Sequence, residues 1–222
     1  MAGAGTTPSA GPLLGLQGWF WAAEPALRLD LADRSAALCA LADGLGLQRL
    51  GAPLAATTPG GARALSLLSA SHCAWATGPG WSCFTVFSCG PTTAGAVEGQ
   101  GAAALGPGAW RWAPRGPVAA AGPAWRPTPT GWRSCWAHPD PDALLDVLQG
   151  SFAASERREH RFAPHGLTWA GLDPGRALVL HTWPEHGLLT VDLDGEEPDR
   201  LDAAAAAAGG RPVVEAADGP AA

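Results

Sequence analysis

The chain has 222 residues, enough for one large domain or for two domains of about 100 residues each. Its net charge at pH 7 is -6 and it contains no cluster of basic residues, which argues against nucleic acid or an anionic membrane as a partner. It contains neither about 18 consecutive apolar residues nor a basic, apolar leader. We therefore expect a cytoplasmic protein, monomer or homodimer, that acts on a small molecule.

The hydrophobic pattern of the first half predicts one helix and a pair of strands. Leu and Ala at helical spacing predict a helix over residues 25–46, which ends at a glycine. Short apolar or alternating runs predict strands over residues 64–69 and 81–88. The sequence TGPG before the second run is a turn signal, so we expect the two strands to be antiparallel neighbours.

The second half repeats this order. The pattern predicts a helix over residues 141–152, then strands over residues 167–172, 176–183 and 186–193, and a last helix over residues 201–210. A helix followed by antiparallel strands, found twice, predicts an α+β fold.

Between the two sets lies a segment crowded with Pro, Gly and Trp, over residues 105–132. This composition predicts a linker or an irregular wrap rather than regular structure. The predicted organisation is an N-terminal half over residues 13–104, this linker, and a C-terminal half over residues 133–215.

The sequence contains no lysine, which limits its possible chemistry. Enzymes that use pyridoxal phosphate hold it through a lysine, so amino-acid chemistry in this chain needs another electron sink. The five cysteines are odd in number and form no Cys-x-x-Cys pair. Neither a disulfide framework nor a zinc site is predicted, and no metal is expected.

Two segments of the second half carry a resemblance to a known family. They are HRFAPHGLT at residues 160–168 and LVLHTWPEHGLLTVDL at residues 178–193. In the first half, LSASH at residues 68–72 and FSCG at residues 87–90 add to it. Together these segments resemble the pyruvoyl-dependent S-adenosylmethionine decarboxylase proenzymes, over about half of the chain.

The resemblance implies a set of catalytic residues. Ser71 would become the pyruvoyl group, the covalent cofactor, by self-cleavage of the bond between Ala70 and Ser71. The family usually has Glu where this chain has Ala70. By the same resemblance His181 is the base, Thr168 supplies a helper hydroxyl, and Cys89 is the proton donor of the decarboxylation.

The resemblance also implies a site for S-adenosylmethionine. Phe162 corresponds to the residue that stacks on the adenine, and Glu185 to the ligand of the ribose. Phe20 and Glu24 are expected on the opposite face of the substrate. Trp21 is the candidate for contact with the sulfonium, because aromatic faces attract cations.

Superposing the two halves shows that each lacks reactive groups that the other keeps. The aligned pairs are His181 with Ala76, Thr168 with Arg63, Ser71 with Arg176, and Cys89 near Glu196. Such complementary loss resembles the fused, internally duplicated form of the family, with one active site per chain. No role is assigned to His72, His160 or His165.

The expected fold is therefore α+β, with two tandem decarboxylase-like modules whose sheets pack face to face with helices outside. The expected activity is the formation of decarboxylated S-adenosylmethionine for spermidine and other polyamines. Two alternatives stay open. One is a pyruvoyl-dependent decarboxylase of arginine or ornithine, and the other is a non-catalytic relative that binds S-adenosylmethionine.

Overall fold

The computed structural model describes eleven segments of the chain. They are residues 16–21, 31–58, 61–69, 71–78, 81–88, 93–105, 109–112, 131–163, 166–173, 175–195 and 198–213.

The first half of the described chain forms one sheet and two helices. In chain order its elements are β1 (Leu16–Trp21), α1 (Leu31–Gly44), β2 (Leu54–Thr58), β3 (Gly61–Leu68), β4 (Ser71–Gly78), β5 (Trp81–Ser88), α2 (Ala94–Leu105) and β6 (Ala109–Trp112). The strands form sheet A in the order β2-β3-β4-β5-β1-β6, and every neighbouring pair is antiparallel.

The second half of the described chain has the same order of elements. They are β7 (Gly131–Ala137), α3 (Pro141–Ser151), β8 (Glu156–Arg161), β9 (Leu167–Asp173), β10 (Arg176–Trp183), β11 (Leu188–Asp194), α4 (Pro198–Ala207) and β12 (Arg211–Pro212). A 3-10 turn over Pro184–His186 joins β10 to β11. Sheet B has the antiparallel order β8-β9-β10-β11-β7-β12. Each strand of sheet B thus holds the place of the corresponding strand of sheet A.

The two sheets pack face to face, and helices cover their outer faces. Alternate residues of a strand point to opposite faces, and β3 shows this clearly. Its Leu65 and Leu67 pack against Leu172 and Val179 of sheet B, whereas Leu68 packs beneath α1 and α2. Helices α3 and α4 cover the outer face of sheet B in the same way. The fold has four layers, in the order helix, sheet, sheet, helix.

Local sequence explains how α3 begins and which face it buries. The Asp140 side chain accepts a hydrogen bond of 3.0 Å from the backbone N–H of Ala143, and Pro141 follows the cap, where a missing N–H costs nothing. Leu144 and Leu148, one turn apart, are fully buried against sheet B.

Charged side chains protect the edge of sheet B. Strand β8 reads ERREHR, and most of its residues are exposed or partly exposed. The guanidinium of Arg158 donates to the carbonyl oxygens of Leu50 and Ala52, just before β2. A charged edge strand discourages pairing with another molecule. None of the described helices combines the length and apolarity needed to cross a membrane.

The α+β class predicted from the sequence is confirmed, but three element predictions were wrong or incomplete. The strands predicted over residues 64–69 and 81–88 are not neighbours, because β4 lies between them. The segment predicted as an irregular linker contains β6, which pairs with β1, and its last residues begin β7. The predicted helix over residues 25–46 is helical from Leu31, while residues 25–30 lie outside the described segments. Helix α2 and strands β1, β2, β4, β7, β8 and β12 were not predicted.

The packing of Gly171 in β9 gives a test of the outer core of sheet B. A Cβ added to Gly171 would lie 2.2 Å from the indole ring of Trp169, which occupies the space above the glycine. We expect Gly171→Ala to lower the free energy of unfolding by about 1–3 kcal/mol, because an overpacked core has to shift. Urea unfolding measures this change. Gly150→Ala in α3, where an added Cβ meets nothing within 4 Å, is the control and should not destabilise. Equal midpoints for the two variants would contradict the packing.

Cys73 in β4 gives a prediction for alkaline pH. Burial, and to a smaller extent the neighbouring Cys39, raises the pKa of the Cys73 thiol from 9.0 to about 12. Because the pKa in the folded chain lies above that in the unfolded chain, this contribution to stability is complete below about pH 9. It is lost as the pH rises toward about 12, by up to roughly 1.4 kcal/mol per pH unit. Urea unfolding at about pH 8 and pH 10 should show a smaller pH-dependent loss in Cys73→Ala than in the unmodified chain. An identical loss in both proteins would refute this cause.

Candidate active site

A row of polar residues crosses the inner face of sheet B. Directly opposed residues of antiparallel strands share a face. The register places His160 of β8 opposite Thr168 of β9, Thr168 opposite His181 of β10, His181 opposite Thr190 of β11, and Thr190 opposite Cys135 of β7. All but His160 are buried. Because buried polar groups need partners, this row is the first candidate for chemistry.

The imidazole of His181 has a partner on each nitrogen. Its Nδ1 lies 2.7 Å from the hydroxyl Oγ1 of Thr168. Its Nε2 lies 3.0 Å from Nδ1 of His72, which comes from β4 of the opposite sheet. The two rings are stacked with centroids 5.2 Å apart, and both histidines are only 4% exposed. A hydrogen bond therefore joins the two sheets at this point, shielded from water.

Asp192 of β11 extends this contact into a chain of four residues. Its Oδ2 lies 3.9 Å from Nε2 of His72, the nitrogen that faces away from His181. A carboxylate this close favours the tautomer of His72 that carries its proton on Nε2. Nδ1 of His72 is then an acceptor, so Nε2 of His181 donates the proton of the hydrogen bond between the rings.

This proton arrangement leaves the lone pair of His181 on Nδ1. The hydroxyl of Thr168 donates to that nitrogen, which makes the order Asp192, His72, His181, Thr168. If Nδ1 takes up a proton, the resulting positive charge is connected through His72 to the carboxylate of Asp192. The arrangement can therefore accept a proton at Nδ1 and stabilise the charge that forms.

Two predicted substrate-binding residues lie at the same end of sheet B as His181. Phe162 directly follows β8 and packs edge-on against His160, with ring centroids 4.6 Å apart. Gly166 lies between Phe162 and β10, because a Cβ added there would be 3.1 Å from the carbonyl oxygen of Thr182. Glu185 is exposed in the 3-10 turn that follows β10. The described chain thus brings Thr168 and His181 into contact and places Phe162 at the same end of sheet B, with Glu185 nearby in sequence and open to solvent.

The predicted residues of the first half are described less fully. Ser71 is the first residue of β4, and its backbone pairs with Leu68 and with Ser88, the last residue of β5. Ala70 and Cys89 lie outside the described segments, as does Glu24. Ser71 thus lies at the start of β4, directly before His72.

The register does not bring Phe20 close to Ser71. The backbone of Phe20 in β1 pairs with Phe84, which in turn pairs with Trp75. Trp75 lies four residues along β4 from Ser71, which is about 13 Å in an extended strand.

The position in sheet A that corresponds to the Thr168–His181 pair has no histidine. There Arg63 of β3 pairs with Ala76 of β4, just as Thr168 of β9 pairs with His181 of β10. Nε of Arg63 forms an ion pair of 2.9 Å with Oδ2 of Asp194 in sheet B. At this position of sheet A an ion pair joins the two sheets. At the corresponding position of sheet B, the histidine pair joins them.

Sequence reasoning assigned no role to His72 and did not consider Asp192. Asp192 could have been noticed from strand alternation, because it lies in a predicted strand at a position that faces the opposite sheet. His72 lies in β4, which was not predicted. On such a face, a charged or polar residue among Ala, Leu and Val is unusual and points to a specific partner. The partner itself could not be identified from the sequence, since it lies more than 100 positions away.

Comparisons with known proteins add a local similarity. No protein-family model matches the chain. A stretch of 34 residues is 50% identical to the S-adenosylmethionine decarboxylase proenzyme of Aquifex aeolicus (strain VF5). The sequence is locally similar to an S-adenosylmethionine decarboxylase. This stretch is 15% of the chain and 25% of that proenzyme, so the chain spans about a quarter of the curated relative it matches.

A crystal structure of the adenosylmethionine decarboxylase from the same organism aligns with part of the chain. The alignment covers 32% of this chain and 69% of that one, with 27% sequence identity and a TM-score of 0.26.

The ion pair between the sheets gives a stability prediction. Arg63 and Asp194 have side chains only 12% and 20% exposed. We expect Arg63→Met to lower the free energy of unfolding by about 1–3 kcal/mol, because the largely buried carboxylate of Asp194 then loses its ion pair with Arg63. The double variant Arg63→Met with Asp194→Leu should recover much of this loss. Urea unfolding measures both. Arg49→Met, which breaks an exposed ion pair of 2.9 Å with Asp43, is the control and should leave the midpoint unchanged.

Proposed function

We propose that the chain is the proenzyme of a pyruvoyl-dependent S-adenosylmethionine decarboxylase that cleaves itself between Ala70 and Ser71. The observation that carries this proposal is the buried contact between His181 and His72. The proposed base in sheet B thereby contacts His72 of sheet A, the residue that directly follows Ser71. The local similarity to the Aquifex proenzyme supports the same reading.

Self-cleavage needs a hydroxyl, a base and a stabilised proton. In the first step the hydroxyl of Ser71 attacks the carbonyl carbon of Ala70, and the peptide C–N bond breaks to leave an ester and a free amine. In the second step a base takes the α-proton of Ser71 and its Cβ–Oγ bond breaks, which releases residue 70 with a carboxylate. Water then replaces the nitrogen of residue 71, ammonia leaves, and a pyruvoyl group remains attached to His72.

We assign the base of the second step to His181. Its Nδ1 carries the lone pair, and the hydroxyl of Thr168, which donates to that nitrogen at 2.7 Å, orients the ring. The charge that forms on His181 is stabilised through His72 by Asp192, whose Oδ2 is 3.9 Å from Nε2 of His72. The site is buried, which strengthens these interactions relative to water.

When present, the pyruvoyl group supplies the carbonyl electron sink that a chain without lysine cannot obtain from pyridoxal phosphate. Two residues at the same end of sheet B as His181 suit an adenosyl substrate. Phe162, partly buried against His160, offers an aromatic ring for the adenine, and the exposed carboxylate of Glu185 can accept hydrogen bonds from the ribose. Cys89 stays the proposed proton donor, while Phe20 and Glu24 stay proposed substrate ligands.

We also propose that the chain arose by internal duplication and has one active site. Support comes from the equal order of strands in sheets A and B and from the equal lengths of β4 and β10. The ion pair of Arg63 with Asp194 occupies the position that would otherwise form a second site. The product, decarboxylated S-adenosylmethionine, would serve spermidine synthesis in the cytoplasm.

The intact mass of the purified chain under denaturing conditions tests the proposal. We expect two fragments, residues 1–70 and 71–222, with the second lacking a normal amino terminus and losing carbonyl reactivity after borohydride. Ser71→Ala should stay intact and release no carbon dioxide from carboxyl-labelled S-adenosylmethionine. Ser69→Ala, which removes the hydroxyl two residues earlier in the chain, is the matched control and should still be cleaved.

A second variant separates the two steps. In His181→Ala the first step needs no base at this position, so the ester should accumulate, and hydroxylamine should release residues 1–70 from it. An unmodified chain that stays intact under all conditions would favour the non-catalytic relative. Ala70, which replaces the family's usual Glu, is the feature that favours this second candidate.

A further inference from the structure

We propose that His72, His181 and Asp192 form a binding site for one divalent transition-metal ion of the zinc class. Each residue offers one ligand atom, and these atoms all lie within 4.8 Å of one another. Two imidazoles and one carboxylate are a common ligand set for zinc and its neighbours in the first transition series.

The distances fit an ion after small side-chain rotations. Zinc binds imidazole nitrogen at about 2.0–2.1 Å, so the ligand atoms of a tetrahedral ion lie about 3.3–3.5 Å apart. One ion binds only one nitrogen of each histidine. Nε2 of His181 and Nδ1 of His72 are 3.0 Å apart, slightly less than the required value. Since the three residues offer ligand atoms within 4.8 Å of one another, small rotations bring all three to one ion.

Thr168 supplies the second contact that metal-bound histidines normally have. A histidine that binds metal through one nitrogen usually donates its other N–H to a nearby oxygen, which fixes the ring. Oγ1 of Thr168 lies 2.7 Å from Nδ1 of His181 and can accept that hydrogen bond, because a hydroxyl both donates and accepts. His181 can thus present the lone pair of Nε2 to an ion.

A buried hydroxyl next to the site provides an independent indication. Thr190 lies directly opposite His181 on the same face of sheet B and is only 1% exposed. Within the described residues its Oγ1 has no hydrogen-bond partner, although such a buried group normally has one. Three protein ligands leave one position of a tetrahedral ion for water, and a water at that position would give this hydroxyl a partner.

A bound ion would also control self-cleavage, a consequence that rests on the proposed function. With the ion on Nε2 and a proton on Nδ1, His181 has no lone pair left to accept the α-proton of Ser71. Zinc should therefore stop processing at the ester, and a chelator should restart it.

Binding of cobalt(II), a spectroscopic substitute for zinc, tests the site without relying on activity. The full chain with Ser71→Ala, which cannot be cleaved under the proposed function, is dialysed against cobalt(II), and bound metal and visible absorption are measured. We expect one ion per chain with the absorption of a four-coordinate ion and without the strong near-ultraviolet band of a cobalt–thiolate bond. A thiolate band, or no stoichiometric binding, would overturn the proposal.

Variants locate the ion. Asp192→Asn and His72→Gln should each weaken cobalt(II) binding at least tenfold, whereas His186→Gln, which changes an exposed histidine of the 3-10 turn, should not. Binding unaffected by Asp192→Asn and His72→Gln would overturn the site. If these variants fold poorly, zinc should still raise the Tm of the Ser71→Ala chain in a concentration-dependent way, and this shift should vanish in His181→Gln. Because cobalt binding does not require cleavage, loss of the metal site and loss of the decarboxylase function can be told apart.

Discussion

The contact between His72 and His181 depends on a constraint that governs the whole molecule, namely that two sheets share one dry interface. Leu65, Leu67 and Val179 belong to the apolar cluster that fills this interface and excludes bulk water from it. A polar group placed there normally finds its partner on a neighbouring strand or on the opposite sheet, because bulk water does not reach it. Two polar contacts between the sheets in the described segments, the histidine pair and the ion pair of Arg63 with Asp194, are therefore fixed in position by the packing around them.

The class of the fold was predicted from the sequence. The helices and strands were predicted better in the second half of the chain than in the first. Strands β9, β10 and β11 and helix α3 were predicted close to their observed bounds, because long apolar runs alternate there with clear turn signals. Strand β4 was missed because it reads SHCAWATG, in which small and polar residues hide the alternation. Its inner face needs small residues, such as Ala74, to let the sheets approach, so packing rather than hydrophobicity selected them. Strand β6 was missed because Pro and Gly on either side of four residues suggested irregular structure.

The candidate site was predictable only in part. The superposition of the two halves aligns Thr168 with Arg63 and His181 with Ala76, and the structure shows these residues at corresponding cross-strand pairs of the two sheets. The roles of His72 and Asp192 could not be predicted in this way, because they depend on how one sheet faces the other. Sequence periodicity describes a single strand, whereas this relation arises from the crossing of two sheets.

The order of strands in sheet A has a consequence for the chain after any break between residues 70 and 71. The N-terminal piece would contribute β1, β2 and β3, and the C-terminal piece β4, β5 and β6. Since β1 lies between β5 and β6 while β3 borders β4, the two pieces are interleaved within one hydrogen-bonded sheet. Neither piece could leave without breaking three strand pairings, so a nicked chain would keep its shape and behave in solution as a single particle.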